Sequence, residues 1–149
     1  MMDVVKLKKE LERDEGRRLH AYRDSRGLYT IGVGHLVGSI PRILDVTDAE
    51  CDALYFFDVR IAEAIARSSV PAFDTLDDVR QRALVNMAFN RGGHMKESTT
   101  ITPAINAAAA DGDWNQVTLA IAASPWAAEV GDRAERLAQM LAIGAEFVG

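Results

Sequence analysis

Two carboxylates stand out by their spacing and their settings. Glu15 closes a helical stretch, and Asp24 follows nine residues later in the turn Asp24-Ser25-Arg26-Gly27. Nine extended residues span up to ~30 Å, so the two acids share a site only if the chain doubles back. Gly16 and the alternating segment after it supply that reversal. Glu15 is expected near the negative end of a helix dipole, in a cleft between two lobes, and both effects favour its protonated form. Asp24, in an exposed turn, is expected to stay ionised. One raised and one ordinary carboxyl suit glycoside hydrolysis, which needs an acid for the leaving oxygen and a base or nucleophile on the opposite side. Taken singly, Glu15 also reads as a solvated helix end and Asp24 as a turn former. The separation of the acids, and with it retention or inversion, stays open.

The elements that must position them follow from periodicity. Asp3 caps a first helix with Val4, Leu7 and Leu11 at helical spacing, and Gly16 suits a left-handed C-cap. His20, Tyr22, Tyr29, Ile31 and Val33 then alternate around the turn, which predicts a β-hairpin. Gly32 and Gly34 weaken a strand and mark places where another chain or a ligand comes close. After a loop containing Pro41, Thr47-Asp48-Ala49-Glu50 forms a capping box. Its helix carries Leu54, Phe57, Ile61 and Ile65 on one stripe and ends before Pro71. Another helix begins at Asp74 or Thr75, with Leu76, Val79, Ala83, Leu84 and Met87 apolar, and ends at Gly92-Gly93. Three shorter ones start at Pro103, after Asp113 and after Gly131-Asp132. The Ala107–Ala110 run adds helix propensity.

Composition narrows the class. With 149 residues, 48% apolar and 26% charged, the chain suits one folded domain and excludes disorder, collagen and coiled coil. No run approaches the ~18–20 apolar residues of a membrane span. Cys51 has no cysteine partner and leaves no zinc framework, so it is expected to pack as a small apolar residue. The net charge of −5 speaks against nucleic acid. Residues 1–26 carry +2 and the rest −7, a basic beginning too weak to define an anion site. The segment Met1–Lys9 shows no apolar core or small-residue cleavage site, so it is not read as a secretion signal.

The whole run carries more than either acid. Glu15-Gly16, Tyr22, Asp24, Gly27 and Thr30-Ile31-Gly32-Val33-Gly34-His35 resemble the phage-type lysozymes of glycoside hydrolase family 24, the T-even phage lysozyme family. That pattern is a Glu, an Asp nine on, a Thr six further, then Ile-Gly-x-Gly-His, and every position is filled. Leu76–Asn90 resembles the family's central core helix, and Ser124-Pro125-Trp126 with Arg133-Ala134 and Arg136 its late Trp and Arg-Ala-x-Arg segment. Asp58-Val59 resembles the Asp-Val of the helix linking the lobes.

The resemblance implies an α+β, mainly α fold: a lysozyme-like two-lobed chain, single domain over 1–149. A small β-hairpin lobe would span about 14–46 and a linking helix 47–69. Residues 1–13 and about 70–149 would form the helical lobe. It implies Glu15 as general acid and Asp24 as the carboxylate facing the developing oxocarbenium. Thr30 would hold a water with Asp24, which implies inversion and carboxyls ~6.5–9.5 Å apart. Leu36 and Phe89 would contact substrate. His35 would pair structurally with Asp58, and Arg133 would approach the catalytic Glu as an ion pair or as a tuner of its pKa. Trp126 reads as core before sugar platform, and His20 and His94 as exposed without a partner pattern.

The implied activity is that of a phage or prophage endolysin cleaving the N-acetylmuramic acid–N-acetylglucosamine β-1,4 bond of peptidoglycan. It needs no cofactor or metal. The expected partner is the glycan strand, with a holin required functionally, no nucleic acid or membrane contact, and a monomer because no apolar stripe is left over. Synthesis is expected in the host cytoplasm and action on periplasmic peptidoglycan after holin-type release. Three departures from the family are visible. The segment between His35 and Thr47 is shortened, which puts the number of sugar subsites in question. Ala104 and Ala120 stand where the family faces substrate with Ser and Asn. The strongly basic character common in the family is also absent. Competing readings are a non-catalytic wall-binding or virion protein on the same scaffold, and an enzyme acting on chitin-like oligosaccharides.

Overall fold

A computed structural model describes residues 1–39 and 44–147, so Pro41 and part of the shortened segment lie outside the described residues. The chain is α+β and mainly helical. It divides into two compact units, one formed by Val5–Ile61 and one by Met1–Val4 with Ala62–Gly149.

In the first unit, helix α1 (Val4–Glu15) buries Leu7 and Leu11 completely and leaves Val4 exposed. It stops where Gly16 turns left-handed at φ +77, its N–H donating to the Glu12 carbonyl at 2.9 Å. Three antiparallel strands follow in the order β1 (Arg18–Arg23), β2 (Tyr29–Gly32), β3 (His35–Gly38). The expected hairpin is therefore a three-stranded meander. Gly32 and Gly34, at φ +65 and +67, turn the chain back into β3 rather than weakening a longer strand. The close approaches at these glycines are real but internal to the chain. A Cβ on Gly32 would lie 3.3 Å from Cys51 Sγ, and one on Gly34 2.9 Å from Glu15 Oε2.

Helix α2 (Asp48–Ser69) opens with the expected capping box: the Thr47 N–H donates to Glu50 Oε2 at 2.8 Å and the Glu50 N–H to Thr47 Oγ1 at 3.2 Å. Its buried apolar positions are Cys51, Tyr55, Val59, Ala62 and Ala66, not the Leu54–Phe57–Ile61–Ile65 stripe. Both rows repeat at helical spacing, and packing selects the row with small residues and the tyrosine. Phe56, Phe57 and Ile61 stay exposed, so an apolar stripe is left over after all.

In the second unit, a 3-10 turn spans Phe73–Thr75. The helix expected from Asp74 or Thr75 instead begins at Asp78, because Asp77 is the N-cap and accepts from the Arg80 N–H. This helix, α3 (Asp78–Arg91), buries every residue from Gln81 to Ala88. After it come α4 (His94–Glu97), α5 (Ile101–Asp111), α6 (Asn115–Ala122), α7 (Pro125–Val130) and α8 (Asp132–Ile143). These are five helices where the sequence suggested three. Helix α5 starts two residues before Pro103. Helix α7 has Ser124 as N-cap and Pro125 in its first turn, a start signal legible in the sequence. Packing of α8 on α3, α6 and α7 makes the unit's core.

Candidate active site

The unit Val5–Ile61 contains Glu15, Asp24, Thr30, His35, Leu36 and Asp58, while Phe89 and Arg133 belong to the other unit. The end of α1 is fixed by an ionic network next to Glu15. Arg17 donates to Glu12 Oε1 at 3.2 Å, to Asp52 Oδ1 at 2.9 Å and to Asp48 Oδ1 at 2.9 Å, and Lys8 Nζ lies 2.9 Å from Asp52 Oδ1. These bonds tie the last turn of α1 to the first turn of α2. The Lys8 and Arg17 hydrogen bonds hold the Asp52 carboxyl below its usual range. The Glu15 carboxylate lies against the β2–β3 turn at Gly34, where any Cβ would displace it. Arg17 carries this anchoring and has no counterpart in the sequence reading. The signal was its position beside the helix-ending Gly16.

Asp24 is built into the β1–β2 turn. Its Oδ1 accepts from the Arg26 N–H and the Leu28 N–H, each at 2.9 Å, and its Oδ2 accepts from Arg26 Nη2 at 3.1 Å. Gly27, at φ +78, donates its N–H to the Asp24 carbonyl and closes the turn. The turn wraps its own aspartate, leaving that side chain 18% exposed, less open than an ordinary turn residue. The Leu28 N–H, then the Arg26 side chain and N–H, hold the Asp24 carboxyl below its usual range, against an opposing contribution from burial. An ionised Asp24 at neutral pH follows directly.

Thr30 is buried in β2, with Tyr22 of β1 and Leu36 of β3 as its register partners. Directly opposed residues in antiparallel strands project to the same face, so Tyr22, Thr30 and Leu36 form a row across the sheet. Thr30 is enclosed, Tyr22 half-buried and Leu36 exposed. Burial pushes the Tyr22 phenol up; Arg18 opposes this, while Glu15 and Asp24 both add to it. The phenol thus lies in the field of both carboxylates.

His35 Nδ1 and Asp58 Oδ2 are 2.7 Å apart, joining β3 to α2. On α8, buried Arg133 donates from Nε to Asn86 Oδ1 at 3.0 Å and from Nη2 to the Asn86 carbonyl at 3.3 Å. Asn86 was not foreseen. Phe89 is half-buried on α3, and Ala104 and Ala120 are half-buried on α5 and α6. Trp126 is buried, its indole N–H donating to Asn90 Oδ1 at 2.7 Å. His20 and His94 are exposed as expected, but each has an acidic partner, Asp45 and Glu97 respectively. Among the described residues, no group of three or more His, Cys, Asp or Glu side chains is placed to hold a metal ion.

The family model for phage lysozymes matches residues 12–139, most of the chain and the whole carboxylate unit from Glu12 onward. The chain belongs to the phage lysozyme family. Among the relatives of this lysozyme, a probable T4-type lysozyme of Dictyostelium discoideum is 32% identical across 60% of the chain and 67% of its own length. The endolysin of Salmonella phage P22 is 34% identical across 64% of the chain and 67% of its own length. The pre-baseplate central spike protein Gp5 of Enterobacteria phage T4 is 30% identical across 90% of the chain but only 27% of its own length. The lysozyme and endolysin relatives support a lysozyme activity, that is, glycoside hydrolysis.

Proposed function

We propose that this lysozyme hydrolyses the β-1,4 bond between N-acetylmuramic acid and N-acetylglucosamine in peptidoglycan. Glu15 acts as general acid, with Asp24 and Thr30 positioning the attacking water. The observation that carries the reading is the setting of Asp24, enclosed by its own turn and held ionised by two backbone N–H groups and Arg26, in the same unit as Glu15 and Thr30. As the bond to the leaving oxygen breaks, Glu15 supplies that oxygen with a proton. A water held at the Thr30 hydroxyl gives its proton to Asp24 as it attacks the anomeric carbon from the opposite face, and the product is inverted. The family resemblance assigns Leu36 and Phe89 to the glycan and Arg133 to support of the acid, while His35 with Asp58 fixes β3 on α2. No cofactor enters the scheme.

The P22 endolysin likeness favours a phage or prophage endolysin causing host lysis. Made in the host cytoplasm, it would reach periplasmic peptidoglycan through a lesion supplied by a holin. It binds the glycan strand and neither nucleic acid nor membrane. The spike-protein likeness favours a second setting, a lysozyme carried on a virion, cutting the same bond from outside. Turbidity loss of outer-membrane-permeabilised Gram-negative cells tests the chemistry. The wild type should clear them and release fragments ending in reducing N-acetylmuramic acid, and Glu15→Gln should not. Equal clearing by both removes Glu15 as the acid. Cleavage of chitin oligosaccharides with peptidoglycan left intact overturns the substrate.

A further inference from the structure

Tyr22 is the member of the Tyr22–Thr30–Leu36 row without an assigned task. Its ring is pinned from one side by the Arg18 guanidinium, whose Cζ lies 4.3 Å from the ring centroid. Tyr22 pairs with Thr30 across β1 and β2, on the same sheet face, and precedes Asp24 by two residues. Glu15, Asp24 and Arg18 are the charged groups that act on it. Burial keeps the phenol protonated far above neutral pH, so it is a neutral donor. A half-buried tyrosine hydroxyl ordinarily finds a hydrogen-bond partner inside the protein. Among the described residues none accepts from this one. A clamped ring and an uncommitted O–H next to two carboxylates form a preorganised contact for a polyhydroxylated ligand.

We propose that Tyr22 is a substrate-positioning residue: clamped by Arg18 and flanking Thr30 opposite Leu36, it hydrogen-bonds the sugar whose glycosidic bond meets Glu15 and Asp24. The inference rests on the glycoside-hydrolase reading of this site. Leu36 supplies the apolar contact on one side of Thr30, and Tyr22 supplies an aromatic face and a donor on the other. Arg18 acts through the ring, by restricting it before the sugar arrives.

The test separates hydroxyl, ring and clamp. Tyr22→Phe keeps the ring and its Arg18 contact and loses only the O–H. It should lower kcat/KM on peptidoglycan about tenfold, the worth of one well-placed hydrogen bond, with an unchanged melting temperature. In the Glu15→Gln background, which removes the acid, Tyr22→Phe should weaken binding of purified glycan strands to the same degree by calorimetry. Arg18→Gln should give a smaller loss in the same direction and stands in if Tyr22→Phe does not fold. Wild-type kcat/KM and glycan affinity in Tyr22→Phe would overturn the proposal, as would a lowered melting temperature with kcat/KM intact. If the wild type cuts no glycan but Tyr22→Phe still weakens binding, the glycosidase reading fails and Tyr22 keeps its role. If the wild type cuts and Tyr22→Phe matches it, the glycosidase reading stands and Tyr22 loses its role.

Discussion

The two units use the same backbone device for different ends. Among the described residues, five of the nine glycines at positive φ run from Gly16 to Gly38, in the unit that holds the carboxylates. The other four, Gly92, Gly112, Gly131 and Gly144, each cap a helix C-terminus in the helical unit. In the helical unit a left-handed glycine ends an element, and the chain moves on. Between 16 and 38 the glycines also shape the surroundings of Glu15 and Asp24. Gly16 ends α1 at the acid, Gly27 closes the turn on Asp24, and Gly34 gives up the volume in which the Glu15 carboxylate lies. The same strain should therefore have different consequences in the two places.

Gly34→Ala and Gly112→Ala set up that contrast. Each puts a Cβ on a left-handed backbone, at φ +67 and +82, and should cost about 1–2 kcal/mol of stability by chemical denaturation. The new methyl at Gly112 meets nothing within 4 Å, so activity per folded molecule should equal the wild type. The methyl at Gly34 would fall 2.9 Å from Glu15 Oε2. The flexible acid yields, so the damage goes to its aim rather than to the fold. A displacement of about 1 Å at a catalytic group costs on the order of 100-fold in rate. Equal activity in the two variants would break the comparison.

The glycines also mark what the sequence could and could not show. The acid-bearing run was legible because Glu15, Asp24 and Thr30 lie within sixteen residues, and local turns control their placement. Strand β3 was missed because Gly32 and Gly34 were read as a weak strand instead of a turn. The buried face of α2 was misread because its apolar residues outnumber the positions one packed face can take. Partners distant in sequence were invisible: Arg17 with Asp48 and Asp52, and Arg133 with Asn86, 47 residues away. Periodicity shows a face, and only packing shows what that face meets.

Polar burial gives a second contrast. In the helical unit, Arg82 is fully enclosed while donating to Asp78 Oδ2 at 3.1 Å and Glu146 Oε1 at 2.7 Å. Arg82→Met keeps most of the volume, and both acids can rehydrate because neither is buried. It should therefore cost about 2 kcal/mol, less than stranding a buried charge, and leave activity per folded molecule unchanged. In the carboxylate unit, Asp58→Asn weakens the half-buried contact with His35 and should cost about 1 kcal/mol in a urea melt at neutral pH. An unaltered melt would remove the His35–Asp58 pair as a support for β3.

The smallest expected effect tests how Asp24 is held. Arg26→Gln removes the guanidinium from Asp24 Oδ2 but leaves the Leu28 and residue-26 N–H donors in place. Leu28 makes the largest contribution, so the Asp24 midpoint, followed by carboxyl NMR, should rise only part of the way to the ordinary ~3.9. The sign for stability follows from a folded-state pKa lying below the unfolded one. Ionised Asp24 stabilises the fold above the unfolded value, and that contribution is lost as pH falls through the folded value. Arg26→Gln should therefore begin losing it at a higher pH and have less of it to lose. At neutral pH Asp24 remains ionised in both proteins, so turnover there should match the wild type while the acid limb of the activity profile moves upward. A full return to the ordinary midpoint would show that the surface arginine governs Asp24. A midpoint that rises only partway would assign the depression chiefly to backbone N–H groups, fixed by the same turn that Gly27 closes.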